Sequence, residues 1–438
     1  MMLSRRTFLQ VAGLGTAAAA LGRVTAQPAR AQSERPNIVI ILADDQDTGT
    51  LDATMTEGGQ VVPVMRHLLS GRGGGWTRFD NAICNQSICA PSRASLLTGR
   101  YARHHGVLRN GLICRMVDRD HTLPRWLHDA GYFTALKGKY TYGKGDKDAP
   151  RPAGWDVWEP GGGYSSAVFP RGAQLIRQVA TDTPLFLCLW PVDPHKDARP
   201  QPQYAGRAIT LPPDSPSLNE ADVSDKPRHV RAMRLMGPGR LGGLREERRQ
   251  ACRALIGIDD GVKLIMDALE DTGRLDNTII VYAGDHGYLW GEHRMTHKDK
   301  PYVGCMRFPL LIRDPAQAGN RREGRMVSNV DIAPTLAGYA GVAPDVAIDG
   351  RDLRGMMRGG AWDERVVIEK NTPAPLVPGT FHGVFTVMDG TPWCYVEHGT
   401  GEVELYDLAA DPDQMESLHG RPEYAAVREA LAAQMEAD

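Results

Sequence analysis

The chain has 438 residues, 42% of them hydrophobic and 24% charged, with a formal net charge of −2. That is ample for a large folded core with a smaller appendage, and ordinary for a soluble enzyme. The charge balance gives no reason to expect a nucleic acid or an anionic membrane as partner, and 48 glycines with 30 prolines imply many loops between short elements.

In chain order, the first element is a targeting segment. Arg5 and Arg6 precede an apolar, alanine-rich run from Val11 to Leu21, and small-residue cleavage positions follow at Ala26 and Ala31. Paired arginines ahead of a modest apolar stretch resemble a twin-arginine export signal. Residues 1–31 are therefore expected to be a signal, and the protein to be periplasmic or extracellular. An uncleaved anchor is the second reading. The run is shorter than the roughly 20 residues needed to span a bilayer, and no other segment is long enough.

Residues 36–43 form a near-continuous β-branched run, which predicts a strand buried on both faces, as in a parallel sheet. It ends in Asp44-Asp45, two carboxylates that need a counter-charge. A hard divalent cation would supply one, and a turn or helix cap would use the same residues. Cys89-Ala90-Pro91-Ser92-Arg93 runs on to Arg100 and predicts a short helix, with Pro91 in its first turn and Gly99 at its end. Cys89 then sits at a helix N-terminus, where free N–H groups favour an anion. It reads there as a reactive thiol or as an inert one. Lys139 follows in Gly131 to Tyr140, and a lone lysine is usually solvated.

Residues 184–190 predict a second buried strand, running toward His195, and residues 277–283 a third, ending in Gly284-Asp285-His286-Gly287. In open α/β sheets sites form beyond the carboxyl ends of strands, and all three strands deliver polar or ionisable residues there. Between them, Leu255, Ile258, Val262, Ile265, Met266 and Leu269 have helical spacing within 244–272. Asp259 and Asp260 lie on that helix and read as structural, because adjacent helical residues do not face each other. From about residue 360, strand-like runs at 366–368, 381–388, 393–396 and 403–406, then a helix over 423–435, predict a small antiparallel sheet packed on the main domain.

The expected organisation is a signal over 1–31, an α/β domain over 32–358 with a mostly parallel central sheet flanked by helices, and a C-terminal subdomain over 359–438. The seven cysteines show no Cys-x-x-Cys spacing. Cys188 and Cys252 lie in apolar patterns and read as core, and Cys84–Cys114 is a conceivable disulfide. The odd count is compatible with one cysteine being converted to something else.

Cys89 to Arg93, continued without a gap by Ala94-Ser95-Leu96-Leu97-Thr98-Gly99-Arg100-Tyr101, resembles the signature of the sulfatase family, within the alkaline-phosphatase-like superfamily. Asp44-Asp45, Gly131-Tyr132-Phe133-Thr134-Ala135 with Gly138-Lys139, Asp285-His286-Gly287 and Gly291-Glu292-His293 followed by Lys298 extend the resemblance. So do Val330-Asp331-Ile332-Ala333-Pro334-Thr335-Leu336 and Glu404-Leu405-Tyr406, and together they cover roughly residues 36–420. Gln46-Asp47 and Gly138-Lys139-Tyr140 are similar to the N-acetylglucosamine-6-sulfatase branch, although the stretch 159–182 is short for that branch.

The resemblance implies an alkaline-phosphatase-like fold and hydrolysis of a sulfate monoester, expected to be that of a carbohydrate. It implies that a cytoplasmic formylglycine-generating enzyme oxidises Cys89 to formylglycine, whose gem-diol is the nucleophile. It implies one calcium ion on Asp44, Asp45, Asp285, His286 and the residue formed from Cys89. Arg93, Lys139, His195 and Lys298 would hold the sulfate, with Lys298 or His195 protonating the leaving alcohol. His286 either ligates the metal or donates a hydrogen bond, and His105 has a supporting role. Thr141 stands where many relatives have a histidine assigned as the base for sulfate release, and Val303-Gly304 where they have Glu-Glu. Export would engage the twin-arginine translocase, with Cys89 converted before the chain folds, and no stable membrane span is expected after processing.

These residue types suit the chemistry, because a metal and several cations can clamp the sulfate oxygens while sulfur is attacked. A clamp of that kind does not itself choose sulfur over phosphorus. A formylglycine-dependent phosphonate monoester hydrolase or phosphodiesterase is therefore the second reading. A non-catalytic carbohydrate-binding relative with unmodified Cys89 is the third.

Overall fold

The computed structural model describes residues 35–111, 116, 119–140, 151–196, 199–370 and 379–436. Residues 1–31, Cys114 and Thr141 lie outside them, and with them the expected signal, the Cys84–Cys114 pairing and the position of the common histidine. Among the described residues no helix is long and apolar enough to cross a membrane.

Among the described residues eight strands form the central sheet: β1 (Asn37–Ala43), β2 (Trp76–Ile83), β3 (Phe133–Gly138), β4 (Val157–Pro160), β5 (Leu185–Trp190), β6 (Thr278–Gly284), β7 (Leu310–Arg313) and β8 (Arg321–Ser328). Their spatial order is β8-β2-β7-β6-β1-β5-β3-β4. All neighbours run parallel except β7, which is antiparallel to both β2 and β6. The mostly parallel sheet expected from the β-branched runs is present, and its three expected strands are β1, β5 and β6 at its centre.

The two-residue period of a strand explains why these runs are apolar throughout. Ile38, Ile40 and Leu42 of β1 join one core, while Val39, Ile41 and Ala43 join the core on the opposite face. β5 divides the same way, with Phe186, Cys188 and Trp190 on one side and Leu185, Leu187 and Leu189 on the other. Burying one such side chain contributes about 1.5–3 kcal/mol, so any polar substitution in β1 would be opposed from both faces.

Helices cover both faces. On one lie α1 (Cys89–Thr98), α2 (Leu123–Asp129) and α5 (Ile332–Ala340), packed through Leu96, Leu97, Trp126 and Leu336. On the other lie α3 (Ser165–Gln178) and α4 (Pro238–Asp271), packed through Phe169, Ile176, Cys252, Leu255 and Ile265. These two helices touch closely at Gly261, where a Cβ would stand 2.0 Å from the Phe169 ring. The 34-residue α4 starts six residues before the expected 244. Pro238 opens it at the first helical position, which suits proline, and its first turns are mostly exposed and carry Gly239, Gly242 and Gly243.

The C-terminal part is an antiparallel meander of β9 (Arg365–Lys370), β10 (Phe381–Met388), β11 (Thr391–His398) and β12 (Val403–Asp407), followed by α6 (Ala425–Glu436). Val366, Ile368, Phe385 and Val396 continue the core of the central sheet, whereas Val384, Tyr395 and Leu405 face α6 through Leu431 and Met435.

Candidate functional site

Register builds the floor of the site. β1 and β6 pair in parallel from Asn37–Thr278 to Ala43–Gly284. The next residue on each strand is Asp44 and Asp285, so two carboxylates emerge side by side. Asp285 N–H donates to the Ala43 carbonyl at 3.0 Å, and Asp45 N–H donates to Asp285 Oδ1 at 2.9 Å. Asp45 has φ 61°, a left-handed conformation that Asp tolerates better than most residues. β5 and β3 pair Trp190 with Gly138, and Lys139 N–H donates to the Trp190 carbonyl at 2.8 Å. A side chain at Gly138 (φ +118°) would place its Cβ 2.0 Å from that carbonyl oxygen, so the lysine must follow a glycine.

Cys89 comes from the other direction, as the first residue of α1. Ile88 caps the helix in extended conformation and Gly99 ends it with φ 67°. The helix is buried from Cys89 to Thr98 and cannot present its thiol to bulk water. Burial first, then the nearby Asp44 carboxylate, push the Cys89 thiol up to about 12 against the pull of Lys298 and Lys139. An unmodified thiol here is protonated at neutral pH and a weak nucleophile, so the reactive-thiol reading loses its basis.

Two lysines face that sulfur. Lys298 Nζ is 3.0 Å from Cys89 Sγ and also donates to Asp45 Oδ1. Lys139 Nζ is 3.4 Å from Cys89 Sγ and donates to Asp44 Oδ2. Lys298 is carried just beyond a two-strand ribbon, Leu289–Trp290 with Thr296–His297. His195 closes the rim, with Nε2 3.4 Å from Asp45 Oδ2. Burial pushes the Asp44 carboxyl up, but Lys139, Arg93, His195 and Lys298 outweigh it and hold the group well below the usual carboxylate range. Asp45 is lowered by the same balance, chiefly through Lys298.

Arg93 lies beneath this layer, fully buried. Its Nε is 3.0 Å from Asp285 Oδ2, its Nη2 3.4 Å from Asp44 Oδ1, and its Nη1 donates to the Lys139 carbonyl at 2.6 Å. Those contacts hold the carboxylates and the lysine strand-end together.

A metal ion fits the donor set. Ligand atoms of Asp45, Cys89, Asp285 and His286 lie within 4.8 Å of one another and are all buried. Asp44 Oδ1 stands 3.6 Å from Cys89 Sγ. The His286 ring is decisive: Nδ1 is 2.8 Å from the Gly287 carbonyl, so Nδ1 carries the proton, and in the neutral ring Nε2 is left with a lone pair. Nε2 is buried and has no hydrogen-bond partner among the described residues, lying 3.4 Å from Asp45 Oδ1 and 3.6 Å from Asp285 Oδ1. An unpartnered acceptor among carboxylate oxygens is the arrangement a cation satisfies, and an outer carbonyl that orients a metal-facing imidazole is a common support.

Other expected residues serve the frame. His105 Nδ1 accepts from Val107 N–H and Nε2 meets Ser95 Oγ at 3.1 Å, which braces α1. Asp259 accepts the N–H groups of His67 and Leu68, while Asp260 accepts the Tyr204 hydroxyl. The sequence had given no sign of Asn85 and Asn329. Asn329 Nδ2 donates to Ser92 Oγ at 3.0 Å, and its Oδ1 accepts the Asn85 N–H at 2.9 Å. Asn85 in turn donates from Nδ2 to the Val367 carbonyl of β9 at 3.0 Å and accepts the Glu369 N–H at 2.8 Å. The loop before Cys89 is thus pinned to the C-terminal sheet. Lone asparagines carry no periodic signal, so only the fold reveals them.

The model of the family described as "Sulfatase" matches residues 36–342. The chain belongs to the sulfatase family. A second model, the C-terminal region of N-sulphoglucosamine sulphohydrolase, matches residues 291–438 of this sulfatase. Human N-acetylglucosamine-6-sulfatase is 26% identical, over 89% of this chain and 82% of its own. The N-acetylglucosamine-6-O-sulfatase of Bacteroides thetaiotaomicron is 25% identical, over 91% and 85%. Among solved structures, a protein in complex with its substrate D-glucosamine-2-N,6-O-disulfate superposes with a TM-score of 0.73 at 22% identity, covering 92% of this chain and 97% of its own. The phosphonate monoester hydrolase of Agrobacterium radiobacter gives 0.71 at 20% identity, over 92% and 95%. The shared fold therefore accommodates both names. As a sulfatase-family member the chain is a sulfuric ester hydrolase.

Proposed function

We propose that this sulfatase hydrolyses the sulfate monoester of a carbohydrate, with Cys89 matured to formylglycine and one calcium ion held by Asp44, Asp45, Asp285 and His286. The observation that carries the reading is the convergence on Cys89 of two lysine ammoniums, at 3.0 and 3.4 Å, above the buried aspartates. The N-acetylglucosamine-6-sulfatase relatives, matched over most of their length, support a sugar as the alcohol portion.

Formylglycine supplies, once hydrated, one hydroxyl to attack sulfur and a second to expel sulfate, and calcium supplies charge to polarise the ester. The remaining work belongs to side chains of this chain. Asp44, Asp45 and Asp285 are matched by Arg93, Lys139 and Lys298, so a divalent ion leaves the pocket with a positive excess that attracts an anionic ester. Lys139 and Lys298 orient the sulfate oxygens. Burial lowers the Lys298 ammonium, but Asp45 and its neighbours raise it well above the usual lysine range, which keeps it charged beside the ester. His195 at the rim, or Lys298 beside Cys89, donates the proton to the leaving alcohol. The Arg5-Arg6 segment supports export by the twin-arginine route after maturation in the cytoplasm.

Mass spectrometry of the Cys89 peptide from the native host, with turnover of sugar 6-sulfates, an aryl sulfate and a phosphonate monoester, tests this reading. Formylglycine at Cys89 and preferred turnover of a sugar sulfate are expected. A clear preference for the phosphorus ester would replace it with the phosphonate hydrolase reading. Intact Cys89 with glycan binding and no turnover would replace it with a non-catalytic one.

A further inference from the structure

Beside His195 the surface opens into a cleft of about 430 Å³, within the ~300–1,000 Å³ typical of small-molecule sites. His195 joins the cleft to the reaction centre, because its Nε2 is 3.4 Å from Asp45. One wall is the loop after β5, with Lys196 and Arg199; the other is a single face of α4, with Glu247, Gln250 and Ala251 at i, i+3 and i+4.

The charges in this cleft are not balanced. Glu247 is turned to Arg240 at 3.2 Å, and Gln250 donates to Glu246 at 3.0 Å. Among the described residues no carboxylate pairs with Lys196 or Arg199, although the rest of the chain pairs its arginines extensively. Burial, then the Lys196 charge, lower the imidazole of His297, on the ribbon that precedes Lys298. Lys196 directly follows His195 in the chain, and both line the cleft together with Arg199, so the two cations stand beside the residue that reaches Asp45.

We propose that the cleft receives a second anionic group of the substrate, a carboxylate or sulfate carried on the same sugar or on its neighbour, clasped by Lys196 and Arg199. Arg199 can hold either oxyanion through two parallel N–H bonds, and Lys196 adds a point charge. The inference rests on the sugar sulfatase reading and narrows its substrate class to multiply anionic carbohydrates.

The test compares three substrates: a 6-sulfated neutral monosaccharide, its analogue with a second sulfate, and a 6-sulfated disaccharide bearing a uronate. Wild type should favour the second and third over the first. The double variant Lys196→Ala/Arg199→Ala should lose about 10- to 100-fold in kcat/KM on the doubly anionic substrates, mainly through KM, and keep the neutral sugar sulfate within about threefold. Comparing the second substrate with the third tells whether the group lies on the same ring or the next. Equal losses on all three, or no loss on any, overturn the proposal. If wild type with verified formylglycine turns over no sulfate ester, the sugar sulfatase reading fails. The cleft is then judged by calorimetry with the same doubly anionic sugars on Cys89→Ser protein, with and without the two substitutions; equal affinity of the two proteins overturns it.

Discussion

Lys298 Nζ lies 3.0 Å from the sulfur of Cys89 and at the same time donates to Asp45. One ammonium therefore touches both the position of the nucleophile and the carboxylate floor. Replacing it by alanine removes a preorganised charge from the place where the ester's negative charge gathers. Lys298→Ala should lower kcat on an aryl sulfate by about 10²–10³-fold, and Lys139→Ala by a similar factor. Steady-state turnover at saturating substrate, with circular dichroism to confirm folding, gives the answer. Retention of more than about a tenth of kcat by either variant would falsify its proposed role.

Calcium should bind the folded chain and not the unfolded one, so it should raise the midpoint of thermal unfolding. At a hundredfold excess over its dissociation constant the linkage amounts to about 2.7 kcal/mol. Asp45→Asn and Asp285→Asn should abolish the shift, because each removes a donor from the cluster around His286. A calcium titration by differential scanning fluorimetry distinguishes the cases: an unchanged shift in both variants would place the ion elsewhere.

Arg93 predicts a stability effect more than a binding one. It is fully buried and ties Asp285, Asp44 and the Lys139 carbonyl together. Arg93→Ala leaves two buried carboxylates under-compensated and should cost about 3–5 kcal/mol in denaturant unfolding. Lysine should rescue little of this, since an ammonium cannot reproduce three directed contacts. Added calcium should restore part of the loss, because the ion neutralises the same carboxylates.

His105 predicts a pH dependence. Burial pushes its imidazole down to about 3, from an ordinary value near 6.5. Between these values the unfolded chain binds a proton that the folded chain refuses, so stability rises with pH across that window. The contribution is complete above about pH 6.5 and is lost as the pH falls toward 3. His105→Gln should flatten that part of the stability profile. Denaturation midpoints at pH 4.5 and 7.5 suffice: an identical slope in wild type and variant would remove His105 as its source.

The centre of the fold was legible because β1, β5 and β6 are buried on both faces and so cannot afford polar positions. The ends of β1 and β6 were legible for the converse reason, since Asp44 and Asp285 break an apolar run abruptly, whereas Lys139 was found only through its family motif. β7 was not. It has four residues and includes Arg313, which is 1% exposed and donates from Nη1 and Nη2 to the carbonyls of Leu275, Thr278 and Gly73, all distant in sequence. A buried arginine in a short strand looks like a loop until those carbonyls are in place. The first turns of α4 escaped notice because a mostly solvent-facing segment with three glycines has no apolar stripe to reveal it. Lys298, just beyond a two-strand ribbon, was likewise found only through its family motif.

The link between Asn85 and β9 sets an order in time. Cys89 is 1% exposed, and the loop before it is fastened by Val367 and Glu369, which leave the ribosome nearly three hundred residues later. Until those residues arrive, the helix that begins at Cys89 lacks this fastening. Once they dock, a macromolecular modifier has no path to the sulfur. Under the proposed maturation, Cys89 would have to be converted before the C-terminal sheet docks. A chain halted before residue 365 should remain modifiable indefinitely, whereas a chain that folds too early would be locked in its unreactive thiol form.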